Sequence, residues 1–331
     1  MVWRSLLAKR QSTFGRGVAA SLLSAVVLGL SPIFAKQAYQ AGVPWLSVVA
    51  LRTVAATGLL WLLLLLFGQR YLYIYPVGIV VCAAAGFVNG LGSLLYYGGL
   101  HQLDASLAQL LYTLYPIFMT MYYRLDGRPV SRFTLLRLAM GLAAIYLIVQ
   151  VGSHTTFTWE GAGMLLGSGA LYALSLFING HVLYEMPSPT VAVYTLMAMS
   201  ITVGAAYAAA GAPALPATYP GWQAVMLLTG ATMLSRLLLF AGVKHLGSMQ
   251  AALLSLGESL VAVLAALLLL GERLTPVQWL GALLLAISIV LVQFEKTADV
   301  PPRPKPWLQW LEAWFVSFFP PPELEGRKPR K

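Results

Sequence analysis

The sequence predicts an all-α integral membrane protein of ten transmembrane helices, built as two inverted five-helix repeats. Three observations carry that expectation. The 331 residues are 59% hydrophobic and only 10% charged, whereas about a quarter of a soluble globular chain is charged. The apolar residues fall into runs close to the about 20 residues a helix needs to cross a bilayer, and the alternating strands of a membrane β-barrel are absent. The second half also repeats the first. The stretch from Ala108 to Gln150 aligns with the stretch ending at Gln293, at an offset of 143 with a two-residue slip at the polar break. Tyr115-Pro116 falls on Glu258-Ser259, Asp126-Gly127-Arg128 on Gly271-Glu272-Arg273, and Val149-Gln150 on Val292-Gln293. Gly17 aligns with Gly161 and Ser31 with Ser175 at an offset of 144; Gly86 and Gly99 match Gly230 and Gly242. Such internal similarity is the mark of a repeat architecture.

Taken in order, residues 1–16 form an N-terminal segment in which Trp3, Leu6 and Leu7 oppose Arg4, Lys9 and Arg10. That pattern suits either a short helix on an anionic leaflet or a loose tail. Spans are expected at 17–40, 45–67, 74–100, 105–124 and 132–151, which make the first repeat (17–151). The second repeat (160–295) holds spans 160–184, 188–210, 221–244, 248–270 and 275–295. The breaks between them carry turn chemistry: Gly42-Val43-Pro44, Gly68-Gln69-Arg70, Asp126-Gly127-Arg128-Pro129, Pro187-Ser188-Pro189 and Gly211 to Pro220. With the N-terminus inside, seventeen Lys and Arg residues fall on inner segments, Arg137 and Lys244 among them, against Arg273 alone outside. The positive-inside rule therefore places both termini in the cytoplasm. Five spans per half, an odd number, invert the second half relative to the first, and inverted repeats place a substrate site near the midplane between them.

Beyond Phe294 the composition changes. Pro301 to Pro306 is a stiff basic spacer. In 307–319, Trp307, Trp310, Leu311, Trp314, Phe315, Phe318 and Phe319 recur at helical spacing. The segment is too short to span, and reads as an interfacial helix or as a helix packed on the bundle. The net charge of +10 lies mostly in loops and tails, so it argues for topology and not for nucleic-acid binding. Cys82, the one cysteine, excludes an internal disulfide. No phosphate cradle of the Gly-x-x-x-x-Gly-Lys-Ser/Thr type occurs. No metal-ligand spacing or Ser-His-Asp set stands out, and no cofactor is expected.

The end of each repeat carries a resemblance. Leu270-Gly271-Glu272-Arg273-Leu274, then Gln278-Trp279-Leu280-Gly281-Ala282, is similar to the pattern that closes each repeat in the EamA family of the drug/metabolite transporter superfamily. The resemblance covers about 17–295. The first copy departs from it, with Asp126-Gly127-Arg128 in place of Gly-Glu-Arg. The ninth span has Ser259 where the family usually has proline, while Pro116 keeps the proline of the fourth. A kink at Pro116 without its counterpart means that the halves need not bend alike. The resemblance implies secondary active transport of a small polar metabolite, often amino-acid-like and often outward.

Charges inside spans are costly and face a cavity or a partner. Four qualify: Lys36, Arg52, Arg236 and Glu258. Lys36 either snorkels to the outer surface or faces the pathway. Arg52 either bonds a helix end of the other half or meets a ligand. Arg236 and Glu258 are deeper. At 1.5 Å per residue their depths differ by roughly 3 Å, so the two are expected to form the central pair. Three cations against one anion favour a substrate bearing a carboxylate or phosphate, which guanidinium groups bind bidentately. Asn89 and Asn179 either line the pathway or join helices. Tyr96, Tyr97, Tyr112, Tyr115 and Tyr172 cluster in spans three, four and six. Tyr115, at the repeat position of Glu258, is the leading aromatic candidate, with Tyr97 and Tyr112 behind it. Gly86-x-x-x-Gly90 and Gly163-x-x-x-Gly167 allow close helix contact.

Taken with the resemblance, these residues are read as an exporter or exchanger of a small polar metabolite such as an amino acid, expected in the bacterial inner membrane, with proton or exchange coupling open to it. Its expected partners are the small-molecule substrate and membrane lipids. A flippase for a lipid or lipid-linked headgroup is a second reading, and a membrane-embedded transferase a remote one; catalysis is not expected. If both termini are cytoplasmic, a reporter active only in the periplasm and fused after Lys331 stays inactive. Activity there would overturn the topology.

Overall fold

In the computed structural model of the chain, the described residues are 2–103, 105–127, 130–149, 158–258, 260–261 and 276–291. Their regular structure is helical throughout. The expected tail helix 307–319, the Glu272-Arg273 turn and Ser259 lie outside them. The helices are α1 (Val2–Gly29), α2 (Ser31–Gln40), α3 (Trp45–Phe67), α4 (Pro76–Gln102), α5 (Ala105–Tyr112), α6 (Tyr115–Leu125) and α7 (Arg132–Val149). The second half has α8 (Trp159–Glu185), α9 (Ser188–Ala209), α10 (Tyr219–Leu246), α11 (Ser248–Leu254) and α12 (Pro276–Val290). α1 runs from Val2 through the expected boundary at Gly17 without a break. Proline at N1 or N2 opens α2, α4, α6, α9 and α10, where its missing N–H costs nothing.

Six stretches are long and apolar enough to cross a membrane: Phe14–Gln40, Trp45–Phe67, Pro76–Gln102, Trp159–Leu183, Ser188–Ala209 and Tyr219–Leu246. The chain is therefore a multi-pass membrane protein. In the stretches expected as spans four, five, nine and ten the described residues hold only shorter helices, of 18 residues at most, so the described helices alone do not reach ten crossings.

The broken spans show why. The fourth stops at Thr113-Leu114 and the ninth at Ser255-Leu256. At each break a hydroxyl turns back on the carbonyl four residues earlier, Thr113 onto Gln109 and Ser255 onto Ala251. Such back-bonding bends helices. The ninth span thus breaks at the matching place although its sequence has no proline there.

Helix packing is reciprocal between the halves. α4 packs on α8 as α1 packs on α10, and α4 meets α9 as α3 meets α10. α3 with α9 and α7 with α12 pair helices of matching position. Repeated small residues permit these approaches. A Cβ on Gly17 would come within 2.8 Å of the His245 and Leu246 side chains, and one on Gly161 within 3.0 Å of Leu103. A Cβ on Gly242 would run into Ser21, and one on Gly99 into Leu165 at 2.8 Å. Hydroxyls follow the same plan: Ser24 donates to the Ser235 carbonyl at 3.0 Å and Ser168 to that of Gly92 at 2.7 Å.

Arg137, counted above among inner-segment charges, is fully buried in α7. Its Nε donates to the Ser288 carbonyl of α12 at 3.0 Å and its Nη1 to Gln250 Oε1 of α11 at 2.7 Å. Ser288 Oγ returns a bond to the Arg137 carbonyl at 2.9 Å. These partners let the charge stay inside, where an unmet guanidinium would cost several kcal/mol.

Gly86 and Gly230 align in sequence but differ in surroundings. A Cβ on Gly86 would strike the Thr195 carbonyl and lie 2.6 Å from Ala198 Cβ, while nothing stands within 4 Å of one on Gly230. Gly86→Ala is expected to cost ~1–3 kcal/mol by overpacking and to lower the melting temperature in detergent. Gly230→Ala should match or exceed the parent, since alanine favours a helix. Equal melting temperatures for the two variants would contradict the packing of α4 on α9.

Candidate functional site

α4 carries the main wall of the site. Asn89, Gly92-Ser93 and Tyr96-Tyr97 recur every three to four residues and so share one helix face. Ser168 and Tyr172, four apart on α8, face them, and Gln109 and Tyr112 of α5 close another side. Leu28 and Ser31 line the cavity where α1 gives way to α2. The charged groups come from Arg52 on α3, Arg236 on α10, and Glu258 just past the break at Ser255-Leu256. Helices of both halves therefore enclose a cavity with about 70 Å³ of free space. Where about 10–15 Å³ suffices for a water, that holds a handful of waters or a compact ligand.

Arg52 is 7% exposed. Its Nη1 donates to Thr232 Oγ1 of α10 at 2.9 Å and its Nη2 to Ser93 Oγ of α4 at 2.5 Å. Its guanidinium lies 4.4 Å from the centre of the Tyr97 ring, a cation–π contact. Arg236 Nη2 donates to Asn89 Oδ1 at 3.2 Å, and its guanidinium stands 5.5 Å from the Tyr172 ring centre. Glu258 is 6% exposed. Arg236 and Glu258 line the same cavity without an ion pair. That departs from the expected central pair, because Asn89 and Tyr172 hold the guanidinium instead.

Of the residues singled out in the sequence, Arg52, Arg236, Glu258, Asn89, Tyr97 and Tyr112 line the cavity together. Tyr115 does not. It is buried behind the wall, donating to the Ala252 carbonyl at 3.0 Å and bracing Tyr112 and Tyr172 at ring separations of 5.6 and 5.0 Å. Asn179 joins helices: its Nδ2 donates to the Ser175 carbonyl at 3.0 Å and its Oδ1 accepts from Thr195 at 3.0 Å. Lys36 donates to the Leu103 carbonyl at 3.1 Å, away from the cavity. The sequence reading passed over Ser31, Ser93, Gln109 and Ser168. The spacing of Ser93 from Asn89 on one face of α4 was the available signal.

Three buried polar atoms on this wall have no hydrogen-bond partner: Arg52 Nε, Asn89 Nδ2 and Ser31 Oγ. Buried polar groups are almost always bonded, so these mark unfilled binding capacity. Among the described residues no group of His, Cys, Asp and Glu is placed to hold a metal ion.

A charged, partly unsatisfied cavity between the halves of a membrane-spanning bundle fits a membrane transporter. Comparison with known proteins agrees. The profile of the EamA-like transporter family matches residues 15–150 and 159–294, and the chain belongs to that family, part of the drug/metabolite transporter superfamily. It is 27% identical over 282 residues to the uncharacterized transporter YcbK of Bacillus subtilis (strain 168), covering 78% of this chain and 87% of that protein. A solved crystal structure superposes with a TM-score of 0.69 at 16% identity, over 86% of this chain and 96% of the other. That likeness is one of fold.

Proposed function

We propose that this transporter is a secondary active exporter or exchanger of a small polar metabolite carrying a carboxylate, such as an amino acid or a related compound. The observation that carries the reading is the set of two guanidinium groups and one carboxylate on a single cavity, none paired with another. A guanidinium with only neutral partners is an unneutralised buried charge, and a bound carboxylate would complete it in the bidentate geometry that arginine favours. Glu258 then faces the cationic or hydrogen-bond-donating end of the substrate, and is the group available for proton coupling. The reciprocal contacts of α1–α10 with α4–α8 support two inverted units rocking about the cavity. Transport draws on a gradient or on exchange, in an inner membrane with both termini cytoplasmic.

The test is counterflow in proteoliposomes against amino acids, amines and organic acids. Carboxylate-bearing compounds should exchange and simple amines should not. Arg52→Gln, Arg236→Gln and Glu258→Gln should each lower the initial rate at least roughly tenfold, equivalent to ~1.4 kcal/mol. Undiminished exchange in all three variants, at normal expression, would overturn the reading.

A further inference from the structure

The proposed substrate site raises a question of its own. Arg236 and Glu258 are opposite charges on one cavity of about 70 Å³, yet they do not pair. Left alone in a poorly screened interior, they would attract strongly. Arg236 has another partner: the one side chain that it bonds is Asn89, through Nη2 to Oδ1 at 3.2 Å.

The orientation of that amide follows from chemistry. A guanidinium has donors only, so it can bond only the carbonyl oxygen of asparagine. With Oδ1 committed to Arg236, the Nδ2 group must point elsewhere. There it is buried, on a residue 3% exposed, with no partner. Arg52 Nε, on a residue 7% exposed, is a second orphaned donor of the same cavity. These two can only donate, and the Ser31 hydroxyl, the third unpartnered atom of the wall, can donate as well, so an acceptor suits all three. An oxygen-rich anionic head group, carboxylate or phosphate, supplies such acceptors.

Resting on the transport reading for its substrate but not for its geometry, we propose that Asn89 is a positioning and specificity residue of this cavity. Its Oδ1 holds the Arg236 guanidinium off Glu258, and its Nδ2 donates to the anionic head of the substrate. Without it, the nearest carboxylate captures Arg236, and one cation and one anion are lost to the ligand together. The separation keeps the cavity receptive at both poles, with the guanidinium side taking oxygen and Glu258 taking an amine or hydroxyl.

The geometric half can be tested without knowing the substrate. A double-mutant cycle of Arg236→Gln and Glu258→Gln, read as melting temperature of the full chain in detergent, measures their coupling. In the parent the coupling should be small, since the two groups share a cavity without touching. With Asn89→Ala as the background, the stabilising coupling should grow by a few degrees. The same cycle with Asn89→Ser, which shortens the side chain out of reach but keeps it polar, should agree and serves if the alanine variant does not fold. Equal coupling with and without Asn89 would overturn the proposal. The ligand half is read by thermal shift with L-glutamate, glycine, succinate and inorganic phosphate as probes. A carboxylate or phosphate that stabilises the parent should lose most of that effect with Asn89→Ala, and full retention would also overturn the proposal. Failure of counterflow alone would remove the transport reading while leaving the coupling result standing.

Discussion

Keeping charge inside an apolar bundle without neutralising it is the constraint on which this structure turns. Arg52, Arg236 and Glu258 face one cavity, and each arginine is held by neutral groups: Ser93, Thr232 and the Tyr97 ring for one, Asn89 and the Tyr172 ring for the other. Removing a charge from water costs several kcal/mol even after relaxation. Such a cost persists where the group is needed, and the orphaned donors on Arg52 and Asn89 add to it. Pairing the charges directly would relieve much of the penalty, at the expense of the features that make the cavity able to bind.

The surrounding architecture serves that end. Tyr112 and Tyr172 are braced by Tyr115, whose hydroxyl is fixed on the Ala252 carbonyl beside the break in the ninth span. The fourth and ninth spans are interrupted by the same hydroxyl device, at Thr113 and Ser255, so Gln109 and Glu258 both stand beside interrupted helix. Interrupted helices flanking a midplane site are a recurring feature of transporters built from repeats. Here a back-bonded hydroxyl stands at both interruptions, with a proline following only the first. The close approaches at Gly17, Gly99, Gly161 and Gly242 lie away from the cavity lining and set the spacing of α1 on α10 and of α4 on α8.

Much of this was legible in the residues, for identifiable reasons. A charge in an apolar run is rare and costly, so Arg52, Arg236 and Glu258 stood out, and Asn89 by the same logic. The repeated glycines marked the helix contacts because a close approach leaves no room for a side chain. Tyr115 misled because repeat alignment was applied residue by residue. The breaks at Thr113 and Ser255 fall at an offset of 142, one less than the sequence match. One residue turns a helix by about 100°, enough to take Tyr115 off the cavity face. Arg137 misled because positive charge near a span end was read as loop charge, while its partners Gln250 and Ser288 are distant in sequence. Ser31 shows in the sequence only as the repeat match of Ser175, and Gln109 and Ser168 give no signal, because a single polar residue in an apolar helix has no periodicity to reveal it.

The central claim is that the charged cavity is a passage opened in turn to either side of the membrane. Site-directed labelling tests it most directly, since Cys82 is the one cysteine and is buried. With Cys82 replaced by alanine and a cysteine placed at Ser93, a membrane-impermeant thiol reagent is applied to right-side-out and to inside-out vesicles. The account predicts labelling from both faces, slowed from both by a transported substrate. Labelling from one face only, unchanged by every compound that the protein exchanges, would contradict it.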